Sequence, residues 1–250
     1  MNYPKRIIKK GEADKRIVKA LQQRLIECNC GPVDDPGTFG TKTDQAVKLF
    51  QSLNRDKNGT PLVIDGKVGA FTWEALFGAD TVPASEEAPN PFLKAALDIG
   101  KTQIGVAEVP LGSNGGPQVD QYLASVGLGT GFFWCMAFVY WVYNEAAKQL
   151  GRKNPLVRTG GVLMHWKDTT AKKILTADAI NNPSLIKPGQ IFIMDHGGGK
   201  GHTGIVTAVE GGSIRTIEGN SNTTGSRNGI AVVELVRKIN TIKKGFIEYK

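Results

Sequence analysis

The segment TVPASEEAPNP, residues 81–91, gathers proline, alanine and acidic residues with no apolar periodicity, which is how a linker reads. A break there divides the 250-residue chain into pieces of about 80 and about 160 residues, so two cores are expected rather than one. With 40% hydrophobic residues the chain can furnish both. The expected organisation is residues 1–80, a linker over 81–91, and residues 92–250.

Upstream of the linker the chain repeats itself. GTFGTKTDQAV at 37–47 and GKVGAFTWEAL at 66–76 share the frame GxxGxxTxxA followed by an aliphatic residue. Each copy reads as a tight glycine turn running into a helix, with Thr43 or Thr72 near the helix start and Ala46, Val47, Ala75 and Leu76 facing inward. A further helix precedes them in IVKALQQRLIEC, where Ile17, Leu21, Leu25 and Cys28 fall on one stripe. Three short helices around Val18, Leu21, Leu25, Val47, Phe50, Trp73 and Leu76 follow from this spacing.

On VKALQQRL, on IDGKVGAFTWEAL, and on the frame carried by Asp35, Gly37, Phe39, Gly40, Thr43, Ala46, Val47, Phe50 and Gln51, residues 15–78 resemble peptidoglycan-binding modules. The stretch CNCGPVDDPG departs from the plainer glycine turn usual in that family. The resemblance implies binding of cell-wall glycan or stem peptide without catalysis. The alternative is a helical cap with a structural role alone.

In the second piece, NPFLKAALDIGKTQI at 90–104 reads as an amphipathic helix through Phe92, Ala95, Ala96, Ile99 and Ile104. Two glycine-rich stretches follow, and after them FFWCMAFVYWVY at 132–143. If 134–150 is helical, Cys135 lies in the first turn, where unpaired backbone N–H groups and the positive end of the helix dipole favour thiolate over thiol. Cysteine is also among the most often buried residues, so packing is the competing role, and a base within reach is what would separate the two.

There are three histidines. His165, between Met164 and Trp166, reads as a helix-surface or partly buried packing residue, and His196 sits in the glycine-rich loop DHGGGKG, a poor place to hold an imidazole. His202 opens GHTGIVTAV, a strand-like run lying between two others, KPGQIFIMD and SIRTIEGN. The three form an antiparallel meander. Glu218 and Asn220, two apart on the last strand, are expected to share a face. If Glu210 and Ser213 closed a two-residue turn in a regular ladder, His202 would fall opposite Ser221, on the other face from Glu218. An odd loop or a bulge at 210–213 is therefore expected.

Cys135, His202, and Glu218 or Asn220 make up the parts of a thiol acyl-transfer site. On WCMAFVYWV, KPGQIFIM, GHTGIV and IRTIEGNSN, in that order, residues 92–250 resemble a CHAP domain, the cysteine- and histidine-dependent amidohydrolase/peptidase branch of the papain-like fold. The resemblance implies Cys135 as nucleophile, His202 as general base, Glu218 as the orienting acid and Asn220 as a neighbouring polar contributor. Trp134 stands where many relatives carry glutamine, which leaves the backbone N–H of Cys135 as the oxyanion donor. The fold class expected for the whole is α+β: a small three-helix wall-binding domain joined to a papain-like domain with an antiparallel sheet.

The implied function is peptidoglycan hydrolysis at an amide bond, with the N-acetylmuramoyl–L-alanine link preferred and a stem or crossbridge peptide bond as the alternative. The formal charge of +8 suits an anionic envelope, and bacterial peptidoglycan is the expected partner. No recognition motif or aromatic platform supports nucleic-acid binding, and nowhere do about 18 apolar residues run together as a membrane span would. His196 and His202 with Asp195 show no familiar zinc spacing, and no motif frames Glu108 or Glu145 as a glycosidase pair. No metal or cofactor is expected, and the protein is expected to be a monomer. Cys28 and Cys30 are too close to pair without strain, which points to a reducing compartment. Residues 1–16 lack the apolar run of about seven residues that a secretory signal needs. The expectation is synthesis in the host bacterial cytoplasm and action on the wall after release, as for a bacteriophage endolysin, with an effector or autolysin as the alternative.

Overall fold

The computed structural model describes residues 1–223 and 229–250. They form two compact units, Met1–Ala84 with Ile180–Ser184, and Ser85–Ala179 with Leu185–Lys250.

The first unit is built on three helices, α1 (Lys15–Glu27), α2 (Thr41–Leu53) and α3 (Ala70–Phe77). α1 starts where Asp14 caps it, its carboxylate accepting from the backbone N–H of Arg16 at 3.0 Å and of Ile17 at 3.3 Å. The helix buries Ile17, Val18, Leu21 and Leu25 against Val47, Phe50, Trp73 and Leu76, the core its spacing predicts. Each such side chain contributes roughly 1.5–3 kcal/mol when fully removed from water.

The repeat has a physical counterpart that the spacing alone does not show. Gln22 on α1 accepts from Gly37 N at 2.8 Å and donates to Thr38 O at 2.9 Å and Thr43 Oγ1 at 3.1 Å. Gln51 on α2 does the same one copy later, accepting from Gly66 N at 2.9 Å and donating to Lys67 O at 2.9 Å and Thr72 Oγ1 at 3.3 Å. In each copy a buried amide on one helix ties down the glycine turn and the threonine of the next. Gly37 and Gly66 both adopt positive φ, 87° and 73°, which explains the glycine at the first position of the frame.

The second unit is mixed α+β. Among its helices are α4 (Pro91–Thr102), α5 (Pro117–Ser125), α6 (Cys135–Gln149) and α7 (Val162–Asp168). Its strands are β1 (Lys172–Leu175), β2 (Ile191–Asp195), β3 (Gly201–Glu210), β4 (Ser213–Ser221), β5 (Ala231–Lys238) and β6 (Gly245–Glu248). They form one antiparallel sheet in the order β1-β6-β2-β3-β4-β5. The expected meander is its centre, β2-β3-β4, and three strands are added around it. Ile191, Ile193, Ile205 and Ile217 pack with Phe92, Leu93, Phe138 and Val142 of α4 and α6, whereas Phe192, Met194, Val206, Ile214 and Phe246 form a second cluster. A sheet covered on both faces accounts for the unbroken apolar run of β2. Part of the expected linker is tied to this unit: Ser85 exchanges two backbone hydrogen bonds with Val209, and Glu86 pairs with Arg215.

The β3–β4 hairpin corrects one expectation. The turn is the plain two-residue one, Glu210 opposite Ser213, and no bulge lies at 210–213. The register shift comes further along, between Val206 and Ala208, where Thr207 is the extra residue. Beyond it Val206 faces Thr216 and Ile205 faces Ile217. Continuing that ladder sets Gly204 opposite Glu218, and His202 joins Glu218 on one face. Parity called for one shift; the turn chemistry of Gly211-Gly212 favours a tight two-residue connection, so the shift moved into the strand.

Candidate active site

Cys135 is the first residue of α6 and is 5% exposed. As the first helical residue it has a backbone N–H with no partner inside the helix. The residue before it, Trp134, is fully buried, and its indole N–H donates to Glu108 Oε1 at 2.9 Å, so that donor is taken.

His202, on β3, is 1% exposed. Its Nε2 lies 2.7 Å from Glu218 Oε2, which fixes the proton on Nε2 and leaves Nδ1 as the basic nitrogen. Nδ1 makes no hydrogen bond to the described residues, yet the Cys135 thiol acts on the same ring. Such contacts are often loose before a substrate closes them. Burial alone would pull the imidazolium down, but Cys135 and then Glu218 outweigh it and raise the His202 pKa to about 9. The ring is therefore a cation at neutral pH, placed to stabilise a thiolate.

Glu218 is fully buried and surrounded by donors. Arg237 on β5 forks it, Nε to Oε1 at 2.5 Å and Nη2 to Oε2 at 2.6 Å. Thr216 Oγ1 donates to Oε1 at 2.6 Å, and Ser221 Oγ lies 3.4 Å from Oε2. Burial would raise the carboxyl, but Arg237 and His202 more than offset it and hold the pKa at about 2. Room for this side chain comes from Gly204. A Cβ there would lie 2.6 Å from Ile217 O, 2.7 Å from Glu218 Cγ and 2.9 Å from Phe192 Cε1. Gly204→Ala should accordingly lower the melting temperature, by the equivalent of about 1–3 kcal/mol, and slow hydrolysis markedly by displacing Glu218 from His202. A wild-type rate in that variant would show that the displacement does not matter.

Asn220 does not share Glu218's role. Its φ is 55°, and the ladder is irregular between Glu218 and Ser221, so the alternation expected to align the two side chains is broken. Asn220 Oδ1 instead accepts from Trp134 N at 3.2 Å, and its Nδ2 donates to Gly229 O at 2.7 Å and lies 3.4 Å from Glu108 Oε1. It holds the start of α6. Glu108 completes that arrangement, accepting also from Asn114 N at 3.1 Å. Spacing gives no hint of Glu108 here, because its side-chain partners Trp134 and Asn220 are 26 and 112 residues away.

The other histidines stay apart. His165 is fully buried in α7, beyond the partly buried position expected, with Nε2 2.6 Å from Tyr249 Oη and Nδ1 3.3 Å from Val157 O. Burial pushes its pKa down to about 4, so it is a neutral core residue. His196 is exposed in the loop after β2. All three cysteines are free. Among the described residues no group of three or more His, Cys, Asp or Glu side chains is arranged to hold a metal ion, and no helix is long and apolar enough to cross a membrane.

A cysteine at a helix start, an imidazole on a central strand of an antiparallel sheet and a buried carboxylate behind it are the three groups a thiol-hydrolase class of site requires. Residues 127–220 match the CHAP domain model, and residues 15–76 match the putative peptidoglycan binding domain model. The chain thus carries an N-terminal peptidoglycan-binding domain and a C-terminal CHAP domain, the make-up of a peptidoglycan hydrolase with cysteine- and histidine-dependent amidohydrolase or peptidase chemistry. No curated protein and no solved structure matches it. Glu108 and Arg237 lie outside the CHAP match.

Proposed function

We propose that the protein is an amidase of the bacteriophage endolysin type, cutting the N-acetylmuramoyl–L-alanine bond with Cys135 as nucleophile, His202 as acid and base, and Glu218 as the group that orients the ring. The observation that carries it is the buried His202–Glu218 pair acting on the ring beside Cys135. The Cys135 sulfur attacks the amide carbonyl, forming a C–S bond, and the Cys135 backbone N–H receives the developing oxyanion. The proton on Nδ1 passes to the leaving amine as the C–N bond breaks. A water then gives its proton to Nδ1 and attacks the thioester, the C–S bond breaks, and the carboxylic acid leaves with Cys135 and His202 restored. Asn220 acts by holding Trp134, and with it the N-terminus of α6.

Attachment of the cutter to a wall-binding domain supports this reading, since linkage raises the effective concentration at an insoluble substrate. The net charge of +8 adds attraction to an anionic envelope. Mass spectrometry of muropeptides from digested sacculi tests the bond. Intact stem peptides released from an unbroken glycan are the expected products, whereas shortened stems still attached to muramic acid would replace the amidase with an endopeptidase of the same mechanism.

A further inference from the structure

Glu218 is held as firmly on its far side as on the side of His202. The Arg237 guanidinium meets it with two nearly parallel N–H···O bonds of 2.5 and 2.6 Å from the neighbouring strand, and the Arg237 side chain is only 12% exposed. Its Cζ lies 5.6 Å from the centre of the Phe192 ring, which itself lies 6.1 Å from the His202 ring, so the guanidinium and imidazole pack against one aromatic side chain. We infer that Arg237 is a positioning residue of the hydrolytic site, keeping the Glu218 carboxylate ionised and fixed while His202 gives up and regains its proton; the inference rests on the Cys135–His202–Glu218 reading above.

The reason lies in the cycle itself. A carboxylate with no exposure is stable only beside a cation. His202 is a cation in the resting site, but it becomes neutral once its proton has gone to the leaving amine. At that moment Glu218 would be a buried anion with no countercharge, and the natural relief is to take a proton and let the ring turn. Arg237 cannot lose its proton, and its planar fork matches both carboxylate oxygens, so the charge stays compensated at every stage. A lysine would supply the charge without the fork. The groups facing Glu218 are His202 from β3, Arg237 from β5, and the Thr216 and Ser221 hydroxyls from β4, with Cys135 acting on the far side of the imidazole. Of these, Arg237 is the one permanent cation.

The test compares the full-length protein with Arg237→Lys, Arg237→Met and Cys135→Ala. Two readouts are taken across pH: turbidity clearing of purified sacculi, resolved into kcat and KM, and iodoacetamide labelling of Cys135 followed by peptide mass spectrometry. In the unaltered protein activity should fall as pH rises through about 9, where His202 loses its proton. Arg237→Met should lose about ten- to a hundredfold in kcat, as loss of outer partners does at metal-bound histidines. Its acid limb should move up by about one unit or more, in activity and labelling alike, because Glu218 then takes a proton on acidification. Arg237→Lys should return part of both effects.

Unshifted limbs in a folded Arg237→Met protein would overturn the inference whatever its rate, since a merely structural role lowers activity without moving them. If Arg237→Met does not fold, Arg237→Lys carries the test: a wild-type kcat and pH profile there would overturn the need for the fork. Activity surviving in Cys135→Ala would instead sink the nucleophile assignment, a failure separable from that of Arg237.

Discussion

Cys135→Ala should abolish hydrolysis of sacculi, with a loss of roughly a thousandfold or more, while the variant still sediments with them. The stability change should be small. The side chain is 5% exposed and trading a thiol for a methyl removes one heavy atom from a well-packed site, a loss on the order of 1 kcal/mol. Binding should persist because the wall-binding core is formed by side chains of a different unit, Leu21, Leu25, Phe50 and Trp73 among them. Clearing assays, co-sedimentation and a thermal melt on the same preparation separate these outcomes. Residual clearing within about tenfold of wild type would mean that another group carries the attack, and thiol alkylation would then fail to inhibit.

Glu218→Ala should damage both activity and stability. Truncation removes the fully buried carboxylate that the Arg237 guanidinium forks, and breaking such an ion pair from one side costs about 3–5 kcal/mol. His202 loses the bond that fixes its tautomer, so turnover should fall at least a hundredfold. A pH signature distinguishes this from general damage. The Glu218 pKa is near 2 in the folded protein against an ordinary value of 4.5, so its stabilisation is complete above about 4.5 and is lost as pH falls toward 2. The His202 pKa is raised from 6.5 to about 9, so its contribution is complete below 6.5 and is lost as pH climbs toward 9. Urea midpoints measured from pH 2 to 9 should show both slopes in the unaltered protein; in Glu218→Ala the acid slope should flatten, while the alkaline slope should only become shallower, because Cys135 still raises His202. If the acid slope persists in the variant, Glu218 is not its source.

Periodicity made the helices of the wall-binding unit and the start of α6 legible, because each buries one stripe of side chains that recurs at helical spacing. It also made the β2-β3-β4 meander legible, and with it the meeting of His202 and Glu218. What it could not locate was the register shift. Alternation counts residues modulo two, so it required one extra residue between His202 and Glu218 without saying that Thr207 would be that residue. Arg237 was invisible for a related reason: its strand had not been recognised, and an arginine 19 residues after a glutamate has no meaning until β4 and β5 are paired. That Asn220 does not share a face with Glu218 was not legible either, because a positive φ is not written in the side-chain pattern.

The place of Thr207 divides the β3–β4 hairpin into two segments with different tolerance for insertions. On the side of the tip, from Ala208 through Arg215, the strands can lengthen or shorten together and the imidazole keeps its direction. Between Thr203 and Val206, one inserted residue would turn His202 to the opposite surface of the sheet and away from Glu218. Variation in length among natural or designed versions of this hairpin should therefore collect beyond Thr207.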